Sequence, residues 1–255
     1  MNFCKFFCFM LIGSLFFTSC VSKKKVLLMQ DINEVDISKV TTFQNIIQKN
    51  DILKIDVTSL EVNASIPYNK VSVANSMVNS LQVLQLNGYL VSVNNTINFP
   101  ILGEISTLGK TTEDLEQYLK NLLETGGHLI NPNVTVRLLN SKFTILGEVN
   151  RPGTFNFTEK NINFLQALGL AGDLTIDGNR KDLILIRELD GKRITTKIDL
   201  TSSSFLTSPF QNIQPNDVII VSPNSKKVTS AGLIGNISTV LSIASILLST
   251  IILIK

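Results

Sequence analysis

Histidine occurs once in these 255 residues, as His128, and cysteine three times, as Cys4, Cys8 and Cys20. A single imidazole leaves little room for histidine-based metal binding or acid–base chemistry, so no metal site and no cofactor is expected. Cys4 and Cys8 fall in a segment expected to be removed. The mature chain then keeps Cys20 alone and holds no internal disulfide framework. Excess charge is scarce too. A formal net charge of +3 is too small for an electrostatic grip on nucleic acid. The apolar share of 44% is ordinary for a globular chain, but it gathers at the two ends. The length allows one or two folded domains between them.

Lys5 precedes an apolar run from Phe6 to Phe17 that closes in Phe17-Thr18-Ser19-Cys20. A basic start, a short apolar core and small residues before a break point make a secretory signal. The run is too short to remain in a bilayer as a spanning helix. With the cysteine directly after Thr18-Ser19, the segment resembles a bacterial lipoprotein signal, although Phe17 replaces the usual aliphatic residue. The resemblance implies that residues 1–19 are removed and that Cys20 is lipidated as the new N-terminus. The plainer alternative is an ordinary secretion signal with an incidental cysteine. Acyl chains hold a protein at a membrane through about 0.8 kcal/mol per buried methylene. Residues 20–40 read as a tether: Val21-Ser22-Lys23-Lys24-Lys25 carries no acid, and the rest of the stretch is polar and weakly patterned.

The body is organised around Phe143 to Phe157. Its first half alternates toward Val149 as a half-buried strand does. Asn150-Arg151-Pro152-Gly153 then turns the chain, with Pro152 fixing φ and Gly153 expected at positive φ, as a type II turn requires. Thr154 to Phe157 is rich in β-formers and runs back. The core Ile145-Leu146-Gly147-Glu148 is echoed at Ile101-Leu102-Gly103-Glu104. A second repeat relates Ile47-Gln48-Lys49-Asn50-Asp51 to Ile213-Gln214-Pro215-Asn216-Asp217, each leading into an apolar strand. The repeats align Asp51 with Asp217 and Glu104 with Glu148, the only repeat-related acid pairs that hydrolysis by paired carboxylates would have to work with. Turn aspartates bonding neighbouring amides explain the first pair more simply. No catalytic residue is assigned, and the chain is not expected to be an enzyme.

Residues 61–86 show no period and read as loop. Tyr89–Val93, Asn94-Asn95 and Thr96–Phe99 read as strand, turn, strand. Thr111 with Asp114 is a capping box. Leu115, Leu119, Leu122 and Leu123 share one helical face, and Gly126-Gly127 ends the helix. Such a leucine stripe is core packing, and His128 follows it in a loop. Asn133–Leu138 alternates as a strand. Asn161 or Asn163 caps a short helix through Phe164, Leu165 and Leu168 that stops near Gly172. Leu183–Arg187 and Ile194–Leu200 flank an Asp190-Gly191 turn, a hairpin signal. Strand pairs crossed by one helix, twice over, make an α+β architecture of two small units.

After Lys226-Lys227 no charge appears until Lys255. Gly232 to Ile254 is long enough to cross a bilayer as a helix. At 100° per residue Gly235, Ser238, Ser242, Ser245 and Ser249 gather on one side, with Thr239 and Thr250 at its edge. Leu233, Ile237, Val240, Leu241, Leu248, Ile251 and Ile252 cover the other. Three explanations compete: a plain anchor, a stripe packed closely on another helix, or several copies in a ring with lipid outside and hydroxyls facing water.

Taken together, these segments resemble the outer-membrane polysaccharide biosynthesis/export lipoproteins, which form capsule and exopolysaccharide exit channels. Ile47 to Val57 resembles the family's opening motif, with Asn50 where glycine is usual. Tyr89 to Gly109 resembles its strand, Phe-Pro and Gly-Glu segment, with Asn95-Thr96 replacing a customary glycine. Asn131 to Val136 resembles the element closing the export domain. Ile145 to Phe155 is similar to the start of the soluble-ligand-binding β-grasp (SLBB) domain. Leu165 to Gly172 and Ile213 to Pro223 resemble its helix and closing strand.

The resemblance implies an export domain over 41–140, an SLBB-type β-grasp domain over 141–224 and a C-terminal amphipathic transmembrane helix over 225–255. It implies a homo-oligomeric ring, lipid-anchored to the outer membrane with its folded domains in the periplasm. The ring would take polysaccharide from an inner-membrane co-polymerase, with no nucleic acid involved. Gly235, Ser238, Thr239, Ser242, Ser245 and Ser249 would line the pore. The competing expectation is a periplasmic, membrane-anchored sugar-binding or scaffold lipoprotein without channel activity.

Overall fold

Leu53, Ile55 and Val57 alternate with Lys54 and Asp56, a pattern that buries one face of a strand. In the computed structural model, which describes residues 26–32, 45–70, 80–189, 191–231 and 237–254, that strand is β1 (Ile52–Thr58), and its three apolar residues are buried. Residues 61–86, expected as loop, include short helices among the described residues, α1 (Val62–Ser65) running into a 3-10 turn at Ile66–Tyr68, and α2 (Leu81–Asn87). β1 pairs antiparallel with β2 (Tyr89–Leu90) on one side and, over six residues, with a later strand on the other.

Between these partners lies a hairpin of β3 (Thr96–Phe99) and β4 (Gly103–Ser106). It corrects the expected pairing of 89–93 with 96–99. Asn94-Asn95 does make a tight turn, with Asn95 at φ 56 and the Ser92 amide donating to the Thr96 carbonyl at 2.8 Å. The longer ladder, however, runs from Thr96 to Ser106 around Ile101. Tyr89 leaves to join β1 and stacks on Phe99 with ring centroids 5.6 Å apart.

Helix α3 (Thr112–Thr125) follows, with Thr111 and Asp114 closing the capping box. Leu115, Leu119 and Leu123 are fully buried against the sheet. The later partner of β1 is β5 (Asn133–Leu138), an edge strand. Glu116 reaches from α3 to accept the Val136 amide at 2.8 Å, so the helix covers part of that edge.

The second unit opens with β6 (Lys142–Gly147) and β7 (Gly153–Asn156), paired antiparallel from Lys142 opposite Asn156 to Ile145 opposite Gly153. The hairpin forms, but not around the expected type II turn. Gly153 is not at positive φ; Gly147 is, at φ 91. The intervening residues form a wider loop stapled elsewhere. The Asn150 amide donates to Asp173 at 3.0 Å, the Arg151 amide to Ala171 at 2.8 Å, and the Arg151 guanidinium to Leu170 at 2.8 Å. Those carbonyls lie at and just beyond the C-terminal end of α4 (Phe164–Leu170), which follows β8 (Ile162–Asn163). The Ile-Leu-Gly-Glu echo is therefore not a structural repeat: Ile101 and Leu102 turn the chain, whereas Ile145 and Leu146 lie inside β6.

β9 (Leu183–Leu189) and β10 (Lys192–Ile198) pair over seven residues. β11 (Asn212–Ile213) pairs with β8. β12 (Val218–Val221) enters the middle of the main sheet, parallel to β6 and antiparallel to β9, giving the order β10-β9-β12-β6-β7. Phe164, Ala167 and Leu168 of α4 pack with Phe143, Ile145, Leu183, Leu185 and Ile219 in one core. Two hairpins, one helix and a central parallel strand make a β-grasp.

The residues expected as a free tether are partly docked on this second unit. Met29 and Gln30 donate backbone bonds to Leu200 and Thr201 at 2.9 and 2.8 Å, and Leu28 packs on the core. Asp31 accepts from the Ser203 amide and the Ser202 hydroxyl. At the other end come α5 (Ser225–Ser230) and α6 (Ile237–Ile254). Lys227 ties α5 back through ion pairs to Glu148 at 3.3 Å and Asp177 at 3.5 Å. Among the described residues no helix is long and apolar enough to cross a membrane. The single transmembrane helix expected in 225–255 is thus unsupported: the stretch divides into two helices, and the 18 residues of α6 reach about 27 Å against a hydrocarbon core of roughly 30 Å.

Candidate functional site

The two Asn-Asp turns share one geometry. Asn50 and Asn216 take φ 67 and 68, a left-handed conformation that asparagine tolerates. In each turn the aspartate amide donates to the carbonyl three residues back at 3.2 Å, Asp51 to Gln48 and Asp217 to Gln214. In each the aspartate Oδ2 accepts that same residue's amide at 2.8 Å. Each aspartate therefore closes its own turn and starts the following strand.

Their surroundings differ. Asp217 is gripped by Arg187, whose Nε and guanidinium NH2 donate to Oδ1 and Oδ2 at 2.9 and 2.7 Å. Arg187 is buried as well, and also donates to the Asn212 carbonyl. Asp51 is 3% exposed and has no cation among the described residues. Burial pushes its carboxyl up to about 6, against the Gln48 amide, which lowers it. Asp51 and Asp217 thus sit in separate turns of separate units, and Glu104 lies within β4. Glu148 accepts the Thr175 hydroxyl and pairs with Lys227, a structural role.

Asp51 faces the junction of the two units. A cleft of about 420 Å³ opens there. Its walls come from the segment 45–47, Thr112 and Glu113 at the start of α3, Val136 to Leu138 of β5, Ser141 in the connection, and the segment 157–161 beyond β7. Polar clasps cross the junction. Lys160 pairs with Glu113, which holds the ammonium above its usual range. Asn45 donates to the Lys160 carbonyl at 3.3 Å, and Gln48 to the Glu188 carbonyl at 3.4 Å. Phe157 and Val136 supply buried apolar surface, while Arg137 and Lys160 are exposed at the mouth. Among the described residues no group of three or more His, Cys, Asp or Glu is placed to hold a metal ion.

The residues singled out from the sequence lie elsewhere. Cys20 and Gly235 fall outside the described residues. Ser238 and Thr239 lie on the first turn of α6, and Ser242, Ser245 and Ser249 follow along it. Ser245 and Ser249 donate their hydroxyl protons back to Leu241 and Ser245 at 2.8 Å, which leaves lone pairs outward as acceptors. Leu241, Ile243, Ile246, Leu247, Leu248 and Ile251 are all exposed. The His128 ring meets the Tyr68 hydroxyl at 3.2 Å and packs edge-on to the Tyr68 ring.

Ser141 and Lys160 went unread in the sequence, and no local pattern marks them, because the cleft exists only once two units meet. Arg187 was legible: it shares strand parity with buried Leu183 and Leu185, so an inward charge needing a partner is implied.

Residues 40–139 match the family model described as polysaccharide biosynthesis/export protein, and residues 142–197 match that of the SLBB domain. The first match ends and the second begins at the connection between β5 and β6, where the cleft lies.

Proposed function

We propose, from the premise that this chain belongs to the polysaccharide biosynthesis/export protein family, that its copies form an oligomeric channel passing polysaccharide through the outer membrane. The coarser statement, a function related to polysaccharide export, follows from the two matched domains. The finer one rests on α6. Its described side chains, 241–251, are exposed throughout, and six of them are large and apolar. A bare apolar helix requires cover from outside its own chain. Neighbouring copies and lipid supply it together: backbone groups are satisfied within each helix, and a ring of helices encloses water. Uncharged serine hydroxyls exchange hydrogen bonds with sugar hydroxyls without trapping the polymer.

In this reading Cys20 carries lipid and the two folded units stand in the periplasm. An inner-membrane co-polymerase delivers the chain to the ring, and Gly235, Ser238, Thr239, Ser242, Ser245 and Ser249 face the bore. Single cysteines at positions 242, 245, 249 and 248, treated in intact membranes with a bulky water-soluble thiol reagent, test it. Labelling at 242, 245 and 249 with protection at 248 is expected. Uniform labelling, or none on the serine stripe, overturns the bore. A monomer or dimer in mild detergent favours the anchored sugar-binding or scaffold alternative.

A further inference from the structure

The main sheet of the second unit ends in two open edges of opposite direction. β12 and β6 are parallel, while β7, β9 and β10 each run antiparallel to the strand beside them. β10 on one edge is therefore antiparallel to β7 on the other. Bonding directions alternate along a strand. The Thr144 amide donates to Asp217 and the Lys142 carbonyl accepts from Asn216, both on the β12 side. Their partners on β7, Thr154 and Asn156, thus turn amide and carbonyl outward. Carried across the register Thr144–Val218–Ile186–Thr195, the same alternation turns Arg193, Thr195 and Lys197 outward on β10. The outward backbone groups of these five residues have no partner among the described residues.

An open edge is a template for a further strand. Cations on an edge ordinarily deter pairing, but Arg193 and Lys197 are already engaged by Glu188 at 2.6 Å and Asp182 at 3.7 Å. Charge then selects the partner. Two β10 edges meeting about a two-fold axis at Thr195 would set Arg193 against Lys197 of the other copy, like charges directly opposite. β7 carries no charged residue. Let Thr195 face Asn156, and Lys197 face Thr154, of the next copy. Extending that register past the ends of β7 brings Lys192 opposite Glu159, and Asp199 opposite Pro152, beside Arg151. Each of these pairs joins opposite signs. All four charged residues are exposed, and none has an ion-pair partner among the described residues.

We infer that copies of this chain join edge to edge, β10 of one against β7 of the next, with Lys192–Glu159 and Asp199–Arg151 closing the two ends of the ladder. Different edges meet, so the contact is head-to-tail and makes a ring wherever the rotation closes. The inference rests on the oligomer of the proposed function and assigns the surface through which its folded units touch. β7 has four residues, too short a ladder to hold copies together without α6. The edge contact sets their order, and α6 supplies the rest of the cohesion.

The test combines Thr195→Cys with Asn156→Cys in full-length protein in mild detergent. Within one chain the two positions lie four strands apart, about 19 Å, beyond the reach of a disulfide. Facing each other across the contact they would lie about 5.5 Å apart, within it. Oxidation is expected to give a ladder of covalently joined chains on a denaturing gel, and either cysteine alone is expected to give none. Lys192→Glu should cut the cross-linking yield about threefold, and adding Glu159→Lys should restore it. No ladder, a ladder indifferent to charge reversal, or dimers from Thr195→Cys alone overturns the inference. The native mass of the wild type separates it from the reading it rests on. A large assembly without the ladder removes the edge contact and leaves the oligomer standing, whereas a monomer removes both. A ladder alongside failed labelling of the serine stripe keeps the edge contact and removes the bore.

Discussion

Asp51 is an acid held in its charged form against its environment at neutral pH. Its folded value of about 6 lies above the ordinary 3.8, so the folded state binds the proton more tightly than the unfolded chain. The sign follows: the stabilising contribution is complete below about pH 4 and is lost as pH rises through about 6. Asp51→Asn, which mimics the protonated form, should raise stability at pH 7 by on the order of 1–3 kcal/mol. The gain should vanish near pH 4. Denaturant melts at both pH values check it, and a loss of stability at pH 7 would contradict the account. At Arg187 the balance runs the other way. Arg187→Leu strands Asp217 in the core and should cost about 3–5 kcal/mol at neutral pH, read as a shift in the unfolding midpoint. Removing both charges together, with apolar residues of similar volume, should recover much of that loss.

At the scale of elements, the most constrained point is where β6 ends. Gly147 holds φ 91, and a Cβ there would lie 2.1 Å from the Val221 carbonyl oxygen. That oxygen also accepts the Glu148 amide. Gly147→Ala therefore has to pull β6 from β12 or twist out of its conformation. Destabilisation by several kcal/mol is expected, with faster amide exchange localised to β12. Gly153, the residue first expected to need positive φ, should accept alanine with an effect below about 1 kcal/mol.

The contrast shows which structure was legible in the sequence. The Thr111–Asp114 capping box, the asparagine cap of α4, which proves to be Asn163, the leucine stripe of α3 and the β9–β10 hairpin are local, and their residues report directly on a period or a cap. The strands that moved did so for non-local reasons. Tyr89 pairs with β1 because a partner distant in sequence and Phe99 are both within reach. Asn69, inside a stretch without pattern, acts as a surrogate strand by bonding both the amide and the carbonyl of Val57 at 2.8 Å. Asn140 likewise bonds Ile52 and Asn50. Side chains that replace a missing strand leave no periodic trace.

For the whole molecule, the α+β plan and the two-unit order followed from twice-repeated strand–helix patterning, while the cleft did not, because its walls come from five separate stretches. The tail is the other whole-molecule feature. Removing residues 232–255 should leave both folded units intact, since no described side chain of α6 belongs to either core. The shortened protein is expected to be smaller in native mass, by light scattering, than the full chain in detergent, and unable to restore polymer secretion. An unchanged mass would place the contacts between copies on the folded units instead.

The docked run at 26–32 sets a further condition on the proposed assembly. Val26 lies six positions beyond Cys20, a reach of about 20 Å at full extension, and Met29 is already fastened to the second unit. The same unit leads into α6. Both moorings then belong to one unit, and the other is held to it by the link at 139–141 together with the clasps Lys160–Glu113, Asn45–Lys160 and Gln48–Glu188. Any pull arriving from the inner membrane would load the Lys160–Glu113 and Asn45–Lys160 contacts, whose residues line the cavity beside Asp51.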